Sequence, residues 1–469
     1  MRLKHWKTWV KLAGLGLFLV TLVVVVLNID VIQNLLPKAV GVPANIFVDT
    51  QAVLGPMPTP WRYLGQGGEE TERMLDDVTG LVKALRPEYI RIDHLYDHND
   101  VVSRNDAGLQ FDWSKLDPKV SDILATGAKP FLSLSYMPPA ISSGDIVAPP
   151  NNYSEWGTVV ARTVAHFSGR NGRNIPDIYY EVWNEPDLFG GWRVYGEKNY
   201  LSLYSSAVAG ALSVGNVQPF KIGGPATTGL YKNWFDSLIK YTSNNNIRLD
   251  FFSWHRYSTD LGVFFEDMSN ARAWLEKHPE RSLDLELMIT EWGHDSDING
   301  GYDGSYGAAH TLAGAIEMVN LVDKAFLFEI KDGPDPAGKK FWGRWGLLTH
   351  ESQGISTKPR YHAMKLLNEL ASDRLALTGK GTWVKALAAA DGTTTQVLLV
   401  NYDQQAKHTE KVPVTFTNLV NKNFVIEESF LLGQKKTIEV ATTEAQLRHD
   451  IYMPVNSAVM VKLTPQTFQ

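Results

Sequence analysis

Short apolar segments alternate with amphipathic segments from about residue 45 to residue 370. The apolar segments are rich in β-branched and aromatic residues and end at Gly, Pro or polar residues, a pattern typical of buried strands. The amphipathic segments between them have helical spacing. Eight strands are predicted in this way: Asn45–Asp49, Glu88–Asp93, Lys129–Tyr136, Ile178–Val182, residues 221–226, Asp250–Tyr257, Leu285–Trp292 and Ala325–Lys331.

Eight strands alternating with helices indicate a parallel (β/α)8 barrel, the TIM-barrel architecture. The competing fold is an open, doubly wound sheet, which would carry a Gly-rich phosphate-binding sequence after its first strand. The segment GQGGEE, residues 65–70, has the glycines but not the G-x-G-x-x-G spacing. We therefore predict a barrel over residues 37–372, with a helix over Glu69–Leu85.

The hydrophobic pattern changes after Asp373. Segments such as TTTQVLLVNY and NSAVMVKL alternate with a period of two and are separated by turn-like pairs. Period-two alternation without long helices is typical of antiparallel sheet. Residues 373–469 are therefore predicted to form a small C-terminal antiparallel β domain that packs directly on the barrel.

The N-terminus combines basic residues with an uncharged run, Leu12–Leu27. With Trp9 and Val10, the run approaches the ~17–25 residues of a membrane-spanning helix. It exceeds the ~7–15 apolar residues of a signal peptide, the main alternative, and no A-x-A cleavage site follows it. We predict that residues 1–36 form an uncleaved transmembrane helix. Because the basic residues precede the run, the catalytic domain is expected in the periplasm or outside the cell.

Composition narrows the possible partners. The chain has 469 residues, of which 44% are apolar and 20% charged, as in ordinary globular proteins. Its net charge of −6 provides no basic surface for nucleic acid. It has no cysteine, which excludes disulfides and thiolate chemistry.

Two predicted strands end in a glutamate. In IYYEVWNEPD, the strand from Ile178 is followed by Asn184 and Glu185, and in LELMITEW the apolar run ends at Glu291. The active residues of a parallel barrel lie at the carboxyl ends of its strands. Glycoside hydrolysis uses two carboxyl groups that face one sugar, one as proton donor and one as nucleophile or base. An isolated Asn-Glu-Pro turn would only end a strand, but the pair of glutamates predicts a glycosidase.

The same motifs carry a family resemblance. WNEP (residues 183–186) and TEWG (residues 290–293) resemble the signature of clan A retaining glycoside hydrolases. Within that clan, GLLTHESQGISTKPRYHAMKLL (residues 346–367) and the C-terminal β domain are similar to glycoside hydrolase family 39. That family includes β-xylosidases, α-iduronidases and bacterial enzymes that cut exopolysaccharide. The resemblance implies that Glu185 is the acid/base, that Glu291 is the nucleophile and that Asn184 binds the sugar 2-hydroxyl.

Other candidate substrate contacts lie on two further strands. His255 and Tyr257 are two residues apart, so both are expected to point into the mouth of the barrel. Clan members usually place a Tyr or His there to hold the nucleophile or the sugar, although either residue could simply be part of the core. Arg91 and Asp93 share a face, with His94 just beyond, and either contact substrate or form a buried ion pair.

The eighth predicted strand departs from the clan pattern. Many clan members carry a sugar-stacking Trp at its end, where this chain has Glu329 in FEIKDG. Trp342 or Trp345 in the following loop could replace it, or could pack on the β domain.

These observations predict a membrane-anchored retaining glycosidase that acts on an oligo- or polysaccharide, with no metal or cofactor. One alternative is a carbohydrate-binding protein that does not hydrolyse its ligand, but such a protein would need neither glutamate. A metal-dependent hydrolase is a third possibility, with His94, His255 and His294 as imagined ligands. Its weakness is that these histidines have no recognisable metal-ligand spacing.

Overall fold

The structure is a computed structural model that describes residues 41–279 and 285–466. The strands, in chain order, are β1 (Ile46–Pro56), β2 (Tyr63–Gln66), β3 (Tyr89–Ile92), β4 (Val102–Asn105), β5 (Gly108–Phe111), β6 (Lys129–Leu134), β7 (Ile178–Val182), β8 (Phe220–Thr227), β9 (Phe251–Tyr257), β10 (Glu286–Gly293), β11 (Lys324–Phe328), β12 (Asp373–Thr378), β13 (Val384–Asp391), β14 (Thr394–Asn401), β15 (Glu410–Thr417), β16 (Asn423–Phe430), β17 (Lys435–Ala441), β18 (Gln446–Met453) and β19 (Ser457–Pro465). The helices are α1 (Thr79–Lys83), α2 (Leu116–Ala125), α3 (Tyr153–Phe167), α4 (Tyr200–Leu212), α5 (Lys232–Asn244), α6 (Gly262–Leu275), α7 (Ser305–Met318) and α8 (Pro359–Leu367).

Eight of these strands close a parallel barrel in the order β10-β11-β2-β3-β6-β7-β8-β9. Its strands are buried on both faces: all five residues of β7, for example, are buried. Aromatic and apolar side chains fill the interior below the site, namely Phe131, Tyr179, Phe251, Met288 and Phe326. The predicted barrel is therefore confirmed. Its carboxyl end is open and lies above a packed interior.

The predicted first barrel strand, Asn45–Asp49, is wrong. A strand does form there, but β1 pairs antiparallel with β12 and parallel with β15 in a second, nine-stranded sheet. Its burial alternates, since Ile46 and Val48 are buried while Phe47 is 43% exposed. A strand with one covered face suits the second sheet, whereas a barrel strand is covered on both faces. The first barrel strand is β2.

The predicted helix Glu69–Leu85 is also largely wrong, because only α1 forms within it. The preceding residues make turns that place Met74, Leu75 and Val78 in the core. Tertiary packing overrides the helical pattern here.

The second sheet is antiparallel over its C-terminal strands, as predicted. It packs against α7, which contacts β13, β14 and β19. This helix is buried on nearly all sides because it lies between the barrel and the sheet. Tyr402 adds a hydrogen bond from its hydroxyl to the carbonyl of Thr259 at 2.8 Å, so the sheet also contacts the loop that leaves β9.

Within the described residues, no helix combines the length and apolar character that a membrane span needs. The predicted transmembrane segment, residues 1–36, lies outside the described residues.

The position of β1 leads to a stability prediction. Val48 is buried between β12 and β15, whereas Leu54 on the same strand is 56% exposed. We expect Val48→Asp to lower the free energy of unfolding by more than about 3 kcal/mol, because it buries a carboxylate without a partner. Leu54→Asp should change it by less than about 0.5 kcal/mol. Denaturant unfolding measures both, and equal effects would contradict the placement of β1 in the sheet core.

Candidate active site

The carboxyl ends of the barrel strands bring several predicted site residues together. Arg91 lies on β3, Glu185 follows β7, and Glu291 lies near the end of β10. One carboxylate oxygen of Glu185, one of Glu291 and a ring nitrogen of His255 all lie within 4.8 Å of one another. Two glutamates that are 106 positions apart in the sequence thus face a common point at the mouth.

The backbone after β7 takes a rare conformation. Trp183 has φ 75° and Glu185 has φ 46°, both in the left-handed region that side chains other than glycine seldom adopt. The Glu185 amide donates to the carbonyl of Ala226 at 3.0 Å, so the turn is tied to β8. Pro186 then prevents the strand from continuing. Strained residues of this kind cluster at functional sites.

Arg91 is the most heavily connected side chain of the site. Its guanidinium donates to Glu181 at 2.7 Å, to Glu291 at 2.8 Å and to the side-chain oxygen of Asn184 at 2.8 Å. Burial disfavours the charged form, but Glu181 and Glu291 outweigh burial and raise the pKa of Arg91. The sequence left open a buried Arg–Asp pair, whereas the direct partners are two glutamates and Asn184.

Glu291 is buried and has two donors. Arg91 binds one carboxylate oxygen, and the hydroxyl of Tyr257 donates to the other at 2.8 Å. Burial raises the pKa of Glu291, while the charges of His255 and Arg91 oppose that rise. Tyr257 therefore lies where the strand periodicity predicts, in contact with the carboxylate.

His255 connects the two glutamates. Its Nδ1 lies 2.8 Å from Glu185 and 3.5 Å from Glu291, and the ring is completely buried. Burial disfavours the protonated ring, but Glu291 and Glu185 together raise the pKa of His255. His255 and Glu185 are thus within hydrogen-bond distance of each other inside the site.

Asn184 and Asp93 form the next layer. The Asn184 amide donates to the hydroxyl of Tyr136 at 3.0 Å and to Asp93 at 3.3 Å. Asp93 also accepts the backbone N–H of Gly68 at 2.6 Å. A Cβ on Gly68 would lie 2.0 Å from the Asp93 carbonyl oxygen, so only glycine permits this approach. The glycines of GQGGEE thus serve backbone packing at the mouth.

His94 turns away from the two glutamates, with φ 52°. Its Nδ1 lies 2.7 Å from Asp97, and its ring meets Tyr136 edge to face at 4.7 Å. Burial lowers its pKa, but Asp93 and Asp97 outweigh burial and raise it to about 9. His94 therefore lies at the rim, as a charged partner of Asp97.

A polar pocket of about 240 Å³ lies between the loops that follow β2 and β11. Glu329 and Arg344 line it and approach to 3.6 Å, with Glu69 and Glu70 at its edge. Burial raises the pKa of Glu329 to about 8. Where the clan carries a stacking Trp, this chain therefore has a buried carboxyl group.

The two loop tryptophans near this pocket both contact Arg344. The guanidinium lies 4.3 Å from the ring of Trp345 and 5.4 Å from that of Trp342. Trp345 also packs on Phe328 at 5.6 Å. Both rings thus hold the arginine of the polar pocket.

Three residues of the site were missed from the sequence. Glu181 shares the inward face of β7 with Tyr179. A charged residue on the inward face of an apolar strand could have been recognised in the sequence. Tyr136 ends the predicted third strand, KPFLSLSY, and could have been found as a strand-end polar residue. Arg344 could not have been found from the sequence, because it lies in a long loop whose path the sequence pattern does not predict.

Three clusters could hold a metal among the described residues: Glu185–His255–Glu291, His94–Asp97–His98 and Glu70–His350–Glu351. The ligand set imagined from the sequence is not assembled. His94 and His255 lie in different clusters, and His294 lies in none of the three. The ring of His294 instead packs on Tyr302, with centroids 3.7 Å apart.

A (β/α)8 barrel with two glutamates at the ends of its fourth and seventh strands has the architecture of a glycoside hydrolase. The sequence model of glycosyl hydrolases family 39 matches residues 44–423. The chain therefore belongs to that family, and the predicted resemblance is confirmed.

Individual relatives support the family assignment. The chain is 30% identical over 316 residues to a β-xylosidase of Caldicellulosiruptor saccharolyticus, covering 62% of this chain and 63% of that enzyme. It is 26% identical over 368 residues to a β-xylosidase of Geobacillus stearothermophilus, covering 68% of this chain and 69% of that enzyme. The match to the first thus spans less than two thirds of its length. The crystal structure of a family 39 enzyme from Xanthomonas axonopodis pv. citri has the same fold, with a TM-score of 0.76, 20% identity and coverage of 91% and 98% of the two chains.

The contacts of Arg91 predict a large loss of stability when it is replaced. Arg91→Met would leave Glu181 and Glu291 buried without a positive partner, which commonly costs about 3–5 kcal/mol. We expect the free energy of unfolding to fall by that amount in denaturant titrations at neutral pH. Arg170→Met, at an exposed arginine, is the matched control and should stay within about 0.5 kcal/mol of wild type. A similarly small loss for Arg91→Met would show that the glutamates find other partners.

Proposed function

We propose that this protein is a retaining glycoside hydrolase that cleaves O-glycosidic bonds in an oligo- or polysaccharide by double displacement. Glu185 is the acid/base and Glu291 the nucleophile. The observation that supports this most strongly is the approach of their carboxylate oxygens to within 4.8 Å. Retaining enzymes hold the two carboxyl groups ~5–5.5 Å apart, whereas inverting enzymes leave ~6.5–9.5 Å for a water molecule.

The first displacement uses both groups at once. Glu185 gives its proton to the glycosidic oxygen while a Glu291 oxygen bonds to the anomeric carbon, so the leaving group departs as an alcohol. In the second step a water molecule gives its proton to Glu185 as its oxygen bonds to that carbon, and the bond to Glu291 breaks. Two inversions retain the configuration.

The surrounding donors suit these roles. Arg91 and Tyr257 donate to the two oxygens of Glu291, which favours the ionised carboxylate, while burial raises its pKa. When one oxygen of Glu291 bonds to the anomeric carbon, the other oxygen keeps its hydrogen bond from Arg91 or Tyr257. His255 lies 2.8 Å from the Glu185 carboxyl group and orients it.

The substrate class rests on the relatives. Two of them are named β-xylosidases, so aryl β-xylosides are the first compounds to test, within a panel of aryl glycosides and polysaccharides that includes exopolysaccharide. A protein that binds one of these sugars but turns over none would be the non-hydrolytic alternative.

Mutation of the two glutamates separates their roles. Glu185→Gln should spare the first step on an aryl glycoside with a good leaving group, because such a group departs without protonation. It should slow the second step, and added azide should restore turnover. Glu291→Gln should lower kcat/KM on every substrate by about a thousandfold or more, more than ~4 kcal/mol of barrier, because no covalent intermediate forms.

The azide product identifies the acid/base. At Glu185→Gln we expect a glycosyl azide with the configuration of the substrate, measured by NMR. An inverted azide from that variant would mean that the two roles are exchanged. Glu88→Gln, at a glutamate on the amino-terminal side of β3, is the control and should behave as wild type.

We also propose that residues 1–36 anchor the enzyme in the cell membrane as a single span, with the catalytic domain in the periplasm or outside the cell. The uncharged run Leu12–Leu27 after the basic N-terminus supports this. The full-length protein should stay with membranes during carbonate extraction, whereas a chain that begins at residue 37 should be soluble and active. A mature chain that starts near Val42, found by N-terminal sequencing, would indicate a cleaved signal peptide instead.

A further inference from the structure

Two exposed aromatic residues lie on loops next to Glu185 at the mouth. Phe189 is 42% exposed and Tyr231 is 41% exposed. They belong to the loops that follow β7 and β8, so both are on the catalytic face of the barrel. Exposed aromatic groups at a binding site commonly supply flat contact area at a low entropic cost.

Phe189 is held close to Glu185 by the backbone. Its amide donates to the carbonyl of Glu185 at 2.8 Å, which completes one tight turn. Its ring meets that of Tyr136 edge to face, with centroids 5.8 Å apart, and Tyr136 in turn bonds Asn184. The Phe189 ring is thus separated from the polar site by a single side chain.

Tyr231 is fixed to the same loop from the other side. Its hydroxyl lies 2.9 Å from that of Thr228, whose amide donates to Asp187 at 3.0 Å. Asp187 is two residues beyond Glu185. The loops that carry the two rings are therefore both hydrogen-bonded to the turn that contains Glu185, while the polar Glu329 pocket lies on the far side of the mouth, between β2 and β11.

We infer that Phe189 and Tyr231 form a platform that binds the leaving-group part of the substrate, and that this part is a sugar. The inference rests on the proposed function, because the proton donor of a glycosidase stands on the side where the leaving group departs. A small leaving group would not reach the rings of Phe189 and Tyr231. A glycosyl leaving group presents apolar ring faces that fit them, so the substrate is an oligo- or polysaccharide.

The reverse of the first displacement isolates this platform. In transglycosylation an acceptor hydroxyl bonds to the anomeric carbon, the bond to Glu291 breaks and the acceptor proton goes to Glu185. A sugar acceptor must occupy the leaving-group side, whereas methanol is too small to contact the rings. The ratio of transfer to the two acceptors therefore reports on the platform alone.

The experiment uses the best aryl glycoside from the panel as donor. Methanol and the methyl glycoside of the donor sugar compete as acceptors, and products are quantified by chromatography. We expect Phe189→Ala and Tyr231→Ala each to lower the sugar-to-methanol ratio about tenfold, the usual scale for loss of one aromatic anchor. Tyr231→Phe keeps the ring and should stay within about twofold of wild type. Tyr452→Ala, at a 61% exposed tyrosine on β18, is the matched control.

Each outcome decides between the two proposals. Transfer to methanol without transfer to sugar in the wild type, or an unchanged ratio in both alanine variants, overturns the platform and leaves the glycosidase intact. An equal loss in Tyr231→Phe and Tyr231→Ala assigns the effect to the hydroxyl and overturns stacking. Hydrolysis that survives Glu291→Gln overturns the proposed function itself. If Phe189→Ala fails to fold, Phe189→Leu, which keeps most of the volume but loses the flat face, replaces it.

Discussion

The site depends on one buried cation. The Arg91 guanidinium is always charged, and its three hydrogen-bond partners come from β7, the turn that follows β7, and β10. Removing such a charge from water is unfavourable unless anionic partners surround it. The anionic partners surround Arg91 only when β3, β7 and β10 meet across a closed barrel. Closure of the barrel therefore also assembles the site, and the buried Arg91 orients Glu291 and Asn184 within it.

The mouth has two unlike halves around that cation. The side next to β2 and β11 is polar and contains the buried Glu329 carboxyl group beside Arg344. The side next to β7 and β8 is aromatic and partly exposed. In the proposed glycosidase, a leaving sugar that contacts only the aromatic side would dissociate readily, whereas a tightly held product would limit turnover.

The barrel was predictable because its strands are short, apolar and regularly spaced between amphipathic helices. The glutamate pair was predictable because each residue interrupts an apolar run at its carboxyl end.

Two kinds of information could not be obtained from the sequence. The Asn45–Asp49 segment has the composition of a barrel strand, and only its partners β12 and β15 reveal its sheet. The partners of Arg91 depend on strand neighbours and side-chain length, so Glu181 stayed hidden although its inward position was visible in the pattern.

The membership of β1 in the second sheet affects the order of assembly. The chain enters the sheet, leaves it to build the whole barrel, and returns only at β12. During synthesis β1 emerges from the ribosome before the barrel strands, yet its partners β12 and β15 come more than three hundred residues later. Domains generally fold as they emerge, so the barrel must form with an unpaired strand attached to it. The two sheets are thus linked in time as well as in space, because β1 gains its partners only after the barrel strands have been made.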